Sequence, residues 1–532
     1  MAEDNPHPTP MRRRELLALI GAASGTATMY EAMATLGFAA ESNYRGPIKL
    51  DGDPKGASVL VLGGGLAGLT AAIELKRAGY KVQLLESENR AGGRTRTLRG
   101  GDVITEIDGV SQRCEFESGL YLNAGPWRIP HHHYAILDYC KRYKVALEPF
   151  IVVNHEAYVH SQNVFGGKPQ RFRHLSSDFN GYVAELLAKA TNANKLDDAV
   201  TREDKEKLLD ALRRWGALDR NYAYVKGELS SDRRGFDKAP GGGLSGEPEY
   251  SQPLSLSDVL KAGLWGTFGS RNEYDYQMTM FQPVGGMDMI PRALARELGP
   301  SIRFGAKVTS VKQDASGVTV SFDDARRPGA KQTARADWCL STIPLPVLTK
   351  IDMNVGAKMR AAIAAVPYTA SVKIGLQFKR RFWEEDENIF GGITFTDLPL
   401  AQIAYPSSSF FAPGKGVLLG AYAGGRTNEF IPLTPAERVQ RAVKYGAMIH
   451  PQYEKEFETG VSMAWSRMPN QLGCFAVWTE ALGAEHYQNL CAIDGRVLLA
   501  GEFASYMPAW QEGAILSAMD AISRLHKRVT AG

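Results

Sequence analysis

The alternation of apolar and polar positions predicts a strand, a glycine-rich turn and a helix near residue 60. The apolar run 59–62 precedes three consecutive glycines, and a second apolar run ends at Leu84 and Leu85. A continuous apolar run of this length is typical of a parallel strand that is buried on both faces. The order of strand, turn, helix and second strand therefore predicts a βαβ unit at the start of an α/β fold.

The rest of the pattern predicts helices and strands that return to this unit. Residues 99–150 mix short strands with a helix at 134–143, and residues 174–225, rich in Ala, Leu, Lys and Glu, are typical of helices. Gly, Ser, Asp and Pro predict a loop at 226–254. Downstream we expect a helix at 288–297, a strand pair at 307–311 and 318–322, strands at 370–378 and 417–422, and a strand at 497–500 leading into a helix at 513–527.

The glycines of the first turn have the spacing of a dinucleotide-binding loop. Gly63 permits the sharp turn, Gly65 lets phosphates approach the backbone, and Gly68 lets the helix pack closely on the strand. The first N–H groups of that helix can face a pyrophosphate. Glu86 follows at the end of the second apolar run, where a carboxylate accepts hydrogen bonds from ribose hydroxyls. This combination predicts an adenine dinucleotide site.

A second glycine pair, Gly92 and Gly93, narrows the cofactor to FAD. Arg94 follows directly and can reach a phosphate while the glycines let the chain pass beside the flavin. With the five-residue gap after Glu86, the pattern resembles that of the flavin amine oxidase family. Further segments resemble this family in the same order along the chain: Pro283-Val284-Gly285-Gly286-Met287-Asp288, residues 307–311, Ser341-Thr342-Ile343-Pro344 and Ala500-Gly501-Glu502-Phe503.

The resemblance implies an α/β fold with a split Rossmann-like FAD-binding domain of the GR2 flavoprotein type. The implied division is 1–55 for an N-terminal segment; 56–98, 277–345 and 456–532 for the FAD-binding domain; 99–150 and 346–455 for a mixed-sheet substrate domain; and 151–276 for a helical insertion. The residues implied to hold FAD are Gly63, Gly65, Leu66, Ala67, Gly68, Glu86, Gly93, Arg94, Gly125, Pro126, Trp127, Arg128, Val308, Trp465, Gly501, Glu502 and Gln511.

The substrate is indicated by the segment Asn123-Ala124-Gly125-Pro126-Trp127-Arg128-Ile129-Pro130. It resembles the Gly-Pro-Met-Arg-Leu-Pro type of segment in the L-amino acid oxidases of the family, where the arginine binds the substrate α-carboxylate. A planar guanidinium with two parallel N–H groups suits a carboxylate better than a lysine does. Arg128 is therefore predicted to select amino acids over simple amines. The alternative is a surface or salt-bridged arginine.

Three other side chains complete the catalytic set that the resemblance implies. Lys373 lies in a predicted strand and resembles the family lysine that holds a water near flavin N5; the alternative is a lysine on a solvated face. Trp510 precedes the last helix and is implied to lie beside the substrate amine, with the helix N-terminus directed at the flavin C2 carbonyl. Tyr405 resembles a tyrosine that helps Arg128 to bind the carboxylate, although an isolated aromatic residue is nearly as typical of a core.

Cys474 leaves the mode of cofactor attachment open. Its setting after Gly473 resembles the Gly-Gly-Cys-Tyr segment that carries the flavin covalently in monoamine oxidases, whereas L-amino acid oxidases usually hold FAD without a covalent bond. We expect non-covalent FAD and a small buried thiol at Cys474. The run His131-His132-His133 is not expected to bind a metal, because adjacent side chains cannot easily converge on one ion. These histidines are predicted to lie in a loop or at a helix start, where one could lie near the active site.

Composition changes this picture little. The chain has 532 residues, of which 44% are hydrophobic, so it can form two or three domains with a large core. Its formal net charge of +4 is small, and basic clusters interleaved with aromatic residues are missing, so nucleic acid is not an expected partner. Five cysteines without a C-x-x-C spacing argue against a disulfide framework or a zinc site.

The first forty residues allow two interpretations. The run Arg12-Arg13-Arg14 and the weakly apolar stretch after it resemble a twin-arginine export signal, with 37–39 as an imperfect cleavage site, which predicts a periplasmic or exported protein. Alternatively, Met29, Met33 and Leu36 lie on one face of a structural helix of a cytoplasmic protein. No stretch approaches the ~20 apolar residues of a membrane span, so integral membrane association is not expected.

The implied function is FAD-dependent oxidative deamination of L-α-amino acids. Hydride transfer from Cα to flavin N5 gives an imino acid, which hydrolyses to a 2-oxo acid and ammonia, and O2 reoxidises the flavin with release of hydrogen peroxide. Three alternatives remain: an amino-acid 2-monooxygenase that decarboxylates its substrate to an amide, an amine or polyamine oxidase, and a flavin-bound protein without turnover. The resemblance also implies a homodimer.

Overall fold

The computed structural model describes residues 42–195, 201–263, 279–424 and 429–531. The twin-arginine-like segment and the alternative N-terminal helix lie outside these residues, so both interpretations stay predictions. Within the described ranges, no helix has the length and apolar character that a bilayer crossing requires.

A five-stranded parallel sheet is built around the apolar run near residue 60. Its strand order is Ile302–Phe304, Lys81–Glu86, Ser58–Leu62, Trp338–Ser341 and Val497–Leu499. The central strand, Ser58–Leu62, is almost wholly buried, as its continuous apolar run predicts. Because the strands come from four separate parts of the chain, the predicted return of the chain to the first βαβ unit is confirmed.

Helices cover one face of this sheet. Helix Leu66–Arg77 packs between Gln511–Thr530 and Met289–Leu298, and Tyr134–Arg142 packs against Gln511–Thr530. Val59 and Val61 contribute to the core on this face, whereas the alternate residues of the same strand face the opposite core. The three helices predicted at 134–143, 288–297 and 513–527 are confirmed.

An antiparallel sheet covers the other face of the parallel sheet. Strands Lys331–Ala336, Gly317–Asp324 and Ala306–Asp314 follow one another in it, and Asp352–Met353 adds in parallel at the edge. Leu60 and Leu62 pack into this second core together with side chains of the helix Ala357–Ala365. The predicted strand pair at 307–311 and 318–322 is confirmed.

A seven-stranded sheet forms the second large layer. Its order is Phe457–Ala464, Ser371–Phe378, Gly416–Gly424, Gln402–Ala404, Ile393–Thr396, Tyr158–His160 and Gln170–Arg171. The two strands predicted at 370–378 and 417–422 pair directly with each other, antiparallel. Every residue of Ser371–Phe378 is buried, so Lys373 lies in a strand without a solvated face.

The predicted helical region is confirmed, but the predicted loop after it is partly wrong. The helices are Phe172–Asn192 and Arg202–Trp215. Within 226–254 the chain forms the helix Glu228–Arg234 and a strand pair, Phe236–Lys238 with Glu249–Tyr250. A buried ion pair between Arg234 and Asp178 fixes that helix. This pair joins distant positions, so local composition could not indicate it.

The remaining described elements are short, apart from the helix Pro435–Gly446. Strand pairs join Leu147–Ile151 to Thr279–Pro283, Thr97–Arg99 to Tyr121–Asn123, and Val103–Thr105 to Ser111–Arg113. Further helices span Leu256–Ala262, Leu345–Leu348, Phe382–Glu385, Pro435–Gly446, Tyr453–Glu456, Glu480–Leu482 and Gln488–Cys491. Single turns of 3-10 or π type span Phe165–Gly167, Gly299–Ser301, Trp465–Arg467, Gly483–Tyr487 and Glu502–Ala504.

Candidate active site

A large cavity lies between the parallel sheet and the seven-stranded sheet. It encloses about 1680 Å³, counted with its open mouth. Gly65, Thr342 and Gly501 line it, and each follows the carboxyl end of a parallel strand. Lys373 and Tyr422 of the seven-stranded sheet form part of the facing wall. The carboxyl edge of a parallel sheet is the usual place for a ligand in such folds.

The first glycine turn fits a pyrophosphate. Gly63 adopts a φ of +99°, and a Cβ on Gly68 would lie 1.9 Å from the carbonyl oxygen of Gly63, so the turn itself requires both glycines. A Cβ on Gly65 would meet no atom within 4 Å, and Gly65 lines the cavity together with Leu66 and Ala67. Helix Leu66–Arg77 begins here without a side-chain cap. Its first N–H groups are thus placed for an anion.

Glu86 lies behind this turn rather than in the cavity wall. Its carboxylate accepts hydrogen bonds from the backbone N–H of Gly64 at 2.5 Å and of Glu88 at 2.7 Å. Burial raises the pKa of the Glu86 carboxyl. The residue is at the end of the second strand, as predicted, and its contact with a ribose stays a prediction.

Arg94 is fixed beside the cavity by two acceptors from distant parts of the chain. Its guanidinium donates to the carbonyl of Cys474 at 2.6 Å and pairs with Glu502 at 2.7 Å. Burial works against the charge, but the pairing with Glu502 raises the pKa of Arg94 above its usual range. The loop that carries Arg94 touches the first turn, because a Cβ on Gly93 would lie 3.5 Å from the Cα of Gly65. The two glycine segments thus form one wall.

Lys373 reaches the cavity from the centre of the seven-stranded sheet. Its Nζ donates to the carbonyl of Gly125 at 2.5 Å and lies 4.7 Å and 4.4 Å from the ring centres of Trp127 and Tyr422. The side chain is 2% exposed, which excludes the solvated alternative. Burial, followed by repulsion from Arg128, lowers the pKa of Lys373 to about 7. Lys373 can therefore gain or lose a proton near neutral pH.

Residues 125–128 line the cavity next to Lys373. Gly125 packs against the Arg94 segment so closely that a Cβ would lie 1.9 Å from the carbonyl oxygen of Arg94. Trp127 meets Tyr422 edge to face, and the guanidinium of Arg128 lies 5.0 Å from the Trp127 ring centre. Arg128 is thus a cavity residue rather than a surface arginine, and its contact with a carboxylate stays a prediction.

Trp510 lines the cavity at the start of the last helix. Its ring meets the buried His133 edge to face, with ring centres 4.9 Å apart. Glu512 fixes this contact, because its buried carboxylate accepts the backbone N–H groups of Ala135 and Ile136, both at 2.9 Å. The histidine run therefore lies at a helix start beside the cavity, as predicted.

Trp465, Cys474 and Gln511 also line the cavity, and the predicted contacts of Trp465 and Gln511 with FAD stay predictions. Trp465 donates from Nε1 to the carbonyl of Ala124 at 2.9 Å, and Gln511 donates to Thr95 at 3.2 Å. Burial raises the pKa of the Cys474 thiol. The thiol is therefore protonated at neutral pH and is a weak nucleophile.

Two predicted site residues lie away from the cavity. Tyr405 is buried in the core of the seven-stranded sheet, where its hydroxyl forms hydrogen bonds of 2.7 Å with Thr394 and with His450. The predicted contact of Tyr405 with a substrate carboxylate is therefore wrong, because the residue belongs to the core and its hydroxyl is engaged there. Val308 points its side chain into the core between the parallel and antiparallel sheets. Its contact with FAD stays a prediction.

The cavity also contains residues that the sequence did not single out. Tyr422 and Gln402 line it from neighbouring strands of the seven-stranded sheet, and Thr95 lines it from the glycine loop. Thr95 directly follows Arg94 and could have been found from that motif. For Tyr422 and Gln402 the strand pattern carries no signal that separates the cavity face from the core face.

Comparison with known proteins identifies the family. The family model for flavin containing amine oxidoreductase matches residues 66–525. The chain belongs to this family and is a flavin-dependent oxidoreductase with a Rossmann-like cofactor domain.

Similar proteins match over most of the chain. The protein named "Putative L-amino-acid oxidase YobN" from Bacillus subtilis (strain 168) is 30% identical over 495 residues, which cover 86% of this chain and 92% of that protein. An L-amino-acid oxidase from Siganus canaliculatus is 29% identical, with coverage of 88% and 85%. A solved variant of putrescine oxidase covers 89% of this chain and 99% of its own at a TM-score of 0.58. At 17% identity this last likeness bears on the fold alone.

Proposed function

We propose that this protein oxidises L-α-amino acids with FAD and O2, releasing a 2-oxo acid, ammonia and hydrogen peroxide. The observation that carries the proposal is that Arg128 and Lys373 line one cavity with the first glycine turn. The names of the sequence relatives, which are L-amino-acid oxidases, support the substrate class.

The charges of the cavity favour a substrate with an anionic group. Among the described lining residues, the cationic side chains are Arg94, Arg128 and Lys373, and the carboxylate is that of Glu502. Glu502 pairs with Arg94, so the remaining charge on this wall is positive. A carboxylate would be attracted here, whereas the two ammonium groups of a diamine would be repelled. This distribution supports amino acids over polyamines.

Arg128 and Lys373 have distinct roles in the proposal. Arg128 binds the α-carboxylate through its planar guanidinium and thereby orients Cα. Lys373 holds or releases a proton at Nζ near neutral pH, because burial lowers its pKa to about 7. A neutral lysine adds no second positive charge beside the substrate amine, which must itself be neutral before the Cα–H bond breaks. Trp127 and Tyr422 cover Nζ and limit the access of water.

A bound flavin supplies a two-electron acceptor that passes its electrons on to dioxygen. The residues that would hold it are the turn at Gly65, the ion pair of Arg94 with Glu502, and the start of the last helix at Trp510 and Gln511. We propose non-covalent attachment, since the protonated thiol of Cys474 is a weak nucleophile. Separation of intact flavin from protein denatured in acid tests this part.

Export through the twin-arginine route, with a cytoplasmic protein as its alternative, and a homodimer complete the proposal. Export is supported by the run Arg12-Arg13-Arg14, and the dimer by the family resemblance. N-terminal sequencing of the protein from cell fractions and light scattering of the purified protein test these two parts.

Anaerobic reduction of the bound flavin tests the main proposal. The protein is mixed with single L-amino acids, their D-enantiomers and the amines that decarboxylation of each would give, and the visible flavin absorbance is followed. We expect rapid bleaching by L-amino acids and little by the amines. Bleaching by amines alone would make the protein an amine oxidase, and no bleaching would favour a protein without turnover. In air, an amide product instead of a 2-oxo acid would identify a monooxygenase.

A further inference from the structure

A second cleft lies on the outer side of the glycine loop that borders the cavity. It encloses about 1050 Å³, counted with its open mouth, and shares no lining residue with the cavity. Arg90, Arg96, Arg292, Arg296 and Phe304 form much of its wall. We call it the arginine cleft.

The arginines of this cleft outnumber the carboxylates that could pair with them. Arg90 pairs with Glu88, and Arg292 pairs with Asp288, each at 2.8 Å. Among the described residues, the side chains of Arg96 and Arg296 have no hydrogen bond or ion pair. Two cationic groups therefore face the cleft without a carboxylate of their own.

The carboxylates at the cleft do not cancel this excess. Asp288 is also bound by both terminal nitrogens of Arg99, at 2.9 and 2.8 Å, in addition to its pair with Arg292. Asp102 accepts the backbone N–H of Arg99 at 2.8 Å. The charge of Asp102 acts on Arg96 and on Arg99, so this one carboxylate cannot neutralise both Arg96 and Arg296.

Arg96 lies in the wall of the cleft close to a second arginine, Arg90. Its side chain is only partly exposed, and burial together with the nearby charge of Arg90 lowers the pKa of Arg96 against the opposing charges of Glu88 and Asp102. An arginine remains charged at neutral pH even so. Glu88 and Asp102 offset the repulsion between the two arginines only in part, so a further anion beside Arg96 would be favourable. The wall is therefore shaped for an anionic ligand rather than for solvent alone.

Arg96 also connects the cleft to the cavity. Its backbone carbonyl accepts the N–H groups of Ala124 at 3.0 Å and of Gly125 at 3.2 Å, and Gly125 in turn accepts from Lys373. The same loop is attached to the first turn, because Gly92 donates to the carbonyl of Gly64 at 2.8 Å. A ligand on the Arg96 side chain would therefore immobilise backbone that forms the cavity wall.

We propose that the arginine cleft binds a phosphate monoester, with Arg96 and Arg296 on the phosphate group and Phe304 beside the organic part. A phosphate monoester carries nearly two negative charges at neutral pH, which matches the two unpaired arginines. Guanidinium groups bind phosphate oxygens through paired N–H donors. Phe304 supplies an apolar wall that free phosphate would not use.

Calorimetric titration of the FAD-loaded protein tests this proposal. The probes are inorganic phosphate and phenyl phosphate at constant ionic strength, which removes general screening effects. Bound flavin occupies the cofactor site, so phosphate cannot bind there. We expect saturable binding of phenyl phosphate, at least about tenfold weaker in Arg96→Gln. Arg327→Gln, which removes an exposed arginine that does not line the cleft, is the matched control and should bind like the parent protein.

The outcomes distinguish an organic phosphate monoester from inorganic phosphate as the ligand, and they also show whether the proposal fails. Tighter binding of phenyl phosphate than of inorganic phosphate supports an organic ligand on Phe304, and equal binding supports phosphate itself as the shared group. Absence of saturable binding, or equal weakening by Arg96→Gln and Arg327→Gln, overturns the proposal. If Arg96→Gln loses its flavin, Arg296→Gln on the exposed helix surface replaces it, and unchanged binding in that variant also counts against the site.

Discussion

The Nζ of Lys373 donates a hydrogen bond to the carbonyl of Gly125 over 2.5 Å. This bond joins the buried strand Ser371–Phe378 to the segment that carries Arg128. A neutral amine and an ammonium both donate, so the bond survives loss of the proton. The relationship between these two residues therefore fixes the cavity wall while the charge of Lys373 changes near neutral pH.

Replacement of Lys373 by Met should stabilise the protein more at low pH than at high pH. The pKa of Lys373 is about 7 in the folded protein, and an unfolded lysine has a pKa of about 10.4. Between these two pKa values the unfolded protein binds more protons than the folded protein, so the free energy of unfolding rises with pH. The cost of burying the charged Lys373 is therefore fully present below about pH 7. The melting temperatures of parent and variant at about pH 6 and about pH 9.5 measure this difference.

Lys307→Met provides the matched control for this experiment. Lys307 is exposed, so the same change of charge should leave its effect on melting temperature independent of pH. If Lys373→Met changed the melting temperature by the same amount at both pH values, the buried lysine would have an ordinary pKa.

Arg128→Ala should raise the KM for L-amino acids by about 30-fold or more. Loss of a buried charge-assisted pair with a carboxylate costs about 2–5 kcal/mol, because the carboxylate is left unpaired. The flavin content should not change, and Arg128→Lys should recover only part of the affinity because it lacks the planar pair of donors. Steady-state kinetics with an amino acid and with its decarboxylated amine measure this, and the amine should be nearly unaffected. Equal losses for both substrates would contradict a role in carboxylate binding.

Glu512→Gln should destabilise the protein by about 1–3 kcal/mol. The buried carboxylate accepts from the backbone of Ala135 and Ile136 and from the hydroxyl of Ser42, and an amide offers one oxygen instead of two. We expect a fall of about 1–3 degrees in melting temperature, measured by circular dichroism. Glu203→Gln, at an exposed helix position, is the control and should leave the melting temperature within a degree or so. Equal melting temperatures of the two variants would mean that the hydrogen bonds accepted by Glu512 contribute little to stability.

Gly65→Ala should weaken flavin binding, whereas Gly68→Ala should impair folding. A methyl group on Gly65 enters open space in the cavity, so the variant should fold but lose flavin more readily. A methyl group on Gly68 would lie 1.9 Å from the carbonyl oxygen of Gly63, so this variant should fold poorly. Far-ultraviolet circular dichroism and the flavin-to-protein ratio after dialysis separate the two effects. Full flavin retention in Gly65→Ala would show that the phosphates do not approach this position.

Local sequence signals predicted the cofactor part of the fold better than the cavity wall that faces it. The turn at Gly63 to Gly68 follows from steric requirements within a few residues, so the pattern identifies it directly. Tyr422 lies in the strand Gly416–Gly424, and Tyr405 directly follows the neighbouring strand Gln402–Ala404, so which face each side chain occupies depends on strand pairing across distant segments. A shift of one residue in register would exchange the faces. The contact of His133 with Trp510 likewise depends on the long-range hydrogen bonds that Glu512 accepts from the backbone of Ala135 and Ile136. It could not be predicted from the histidine run.

Tyr405 was predicted to lie in the substrate site, whereas the structure places Tyr422 in the cavity wall. Variants of the two tyrosines therefore test which residues line the cavity. Tyr405→Phe removes a buried hydroxyl that bonds to Thr394 and His450, so it should lower stability by about 1–2 kcal/mol and leave the KM for amino acids unchanged. Tyr422→Leu removes a ring that covers Nζ of Lys373, so it should change the kinetics and their pH dependence with a smaller effect on stability. Melting curves and steady-state kinetics of both variants measure this. A large rise in KM for Tyr405→Phe, with normal kinetics for Tyr422→Leu, would return Tyr405 to the substrate site and remove Tyr422 from it.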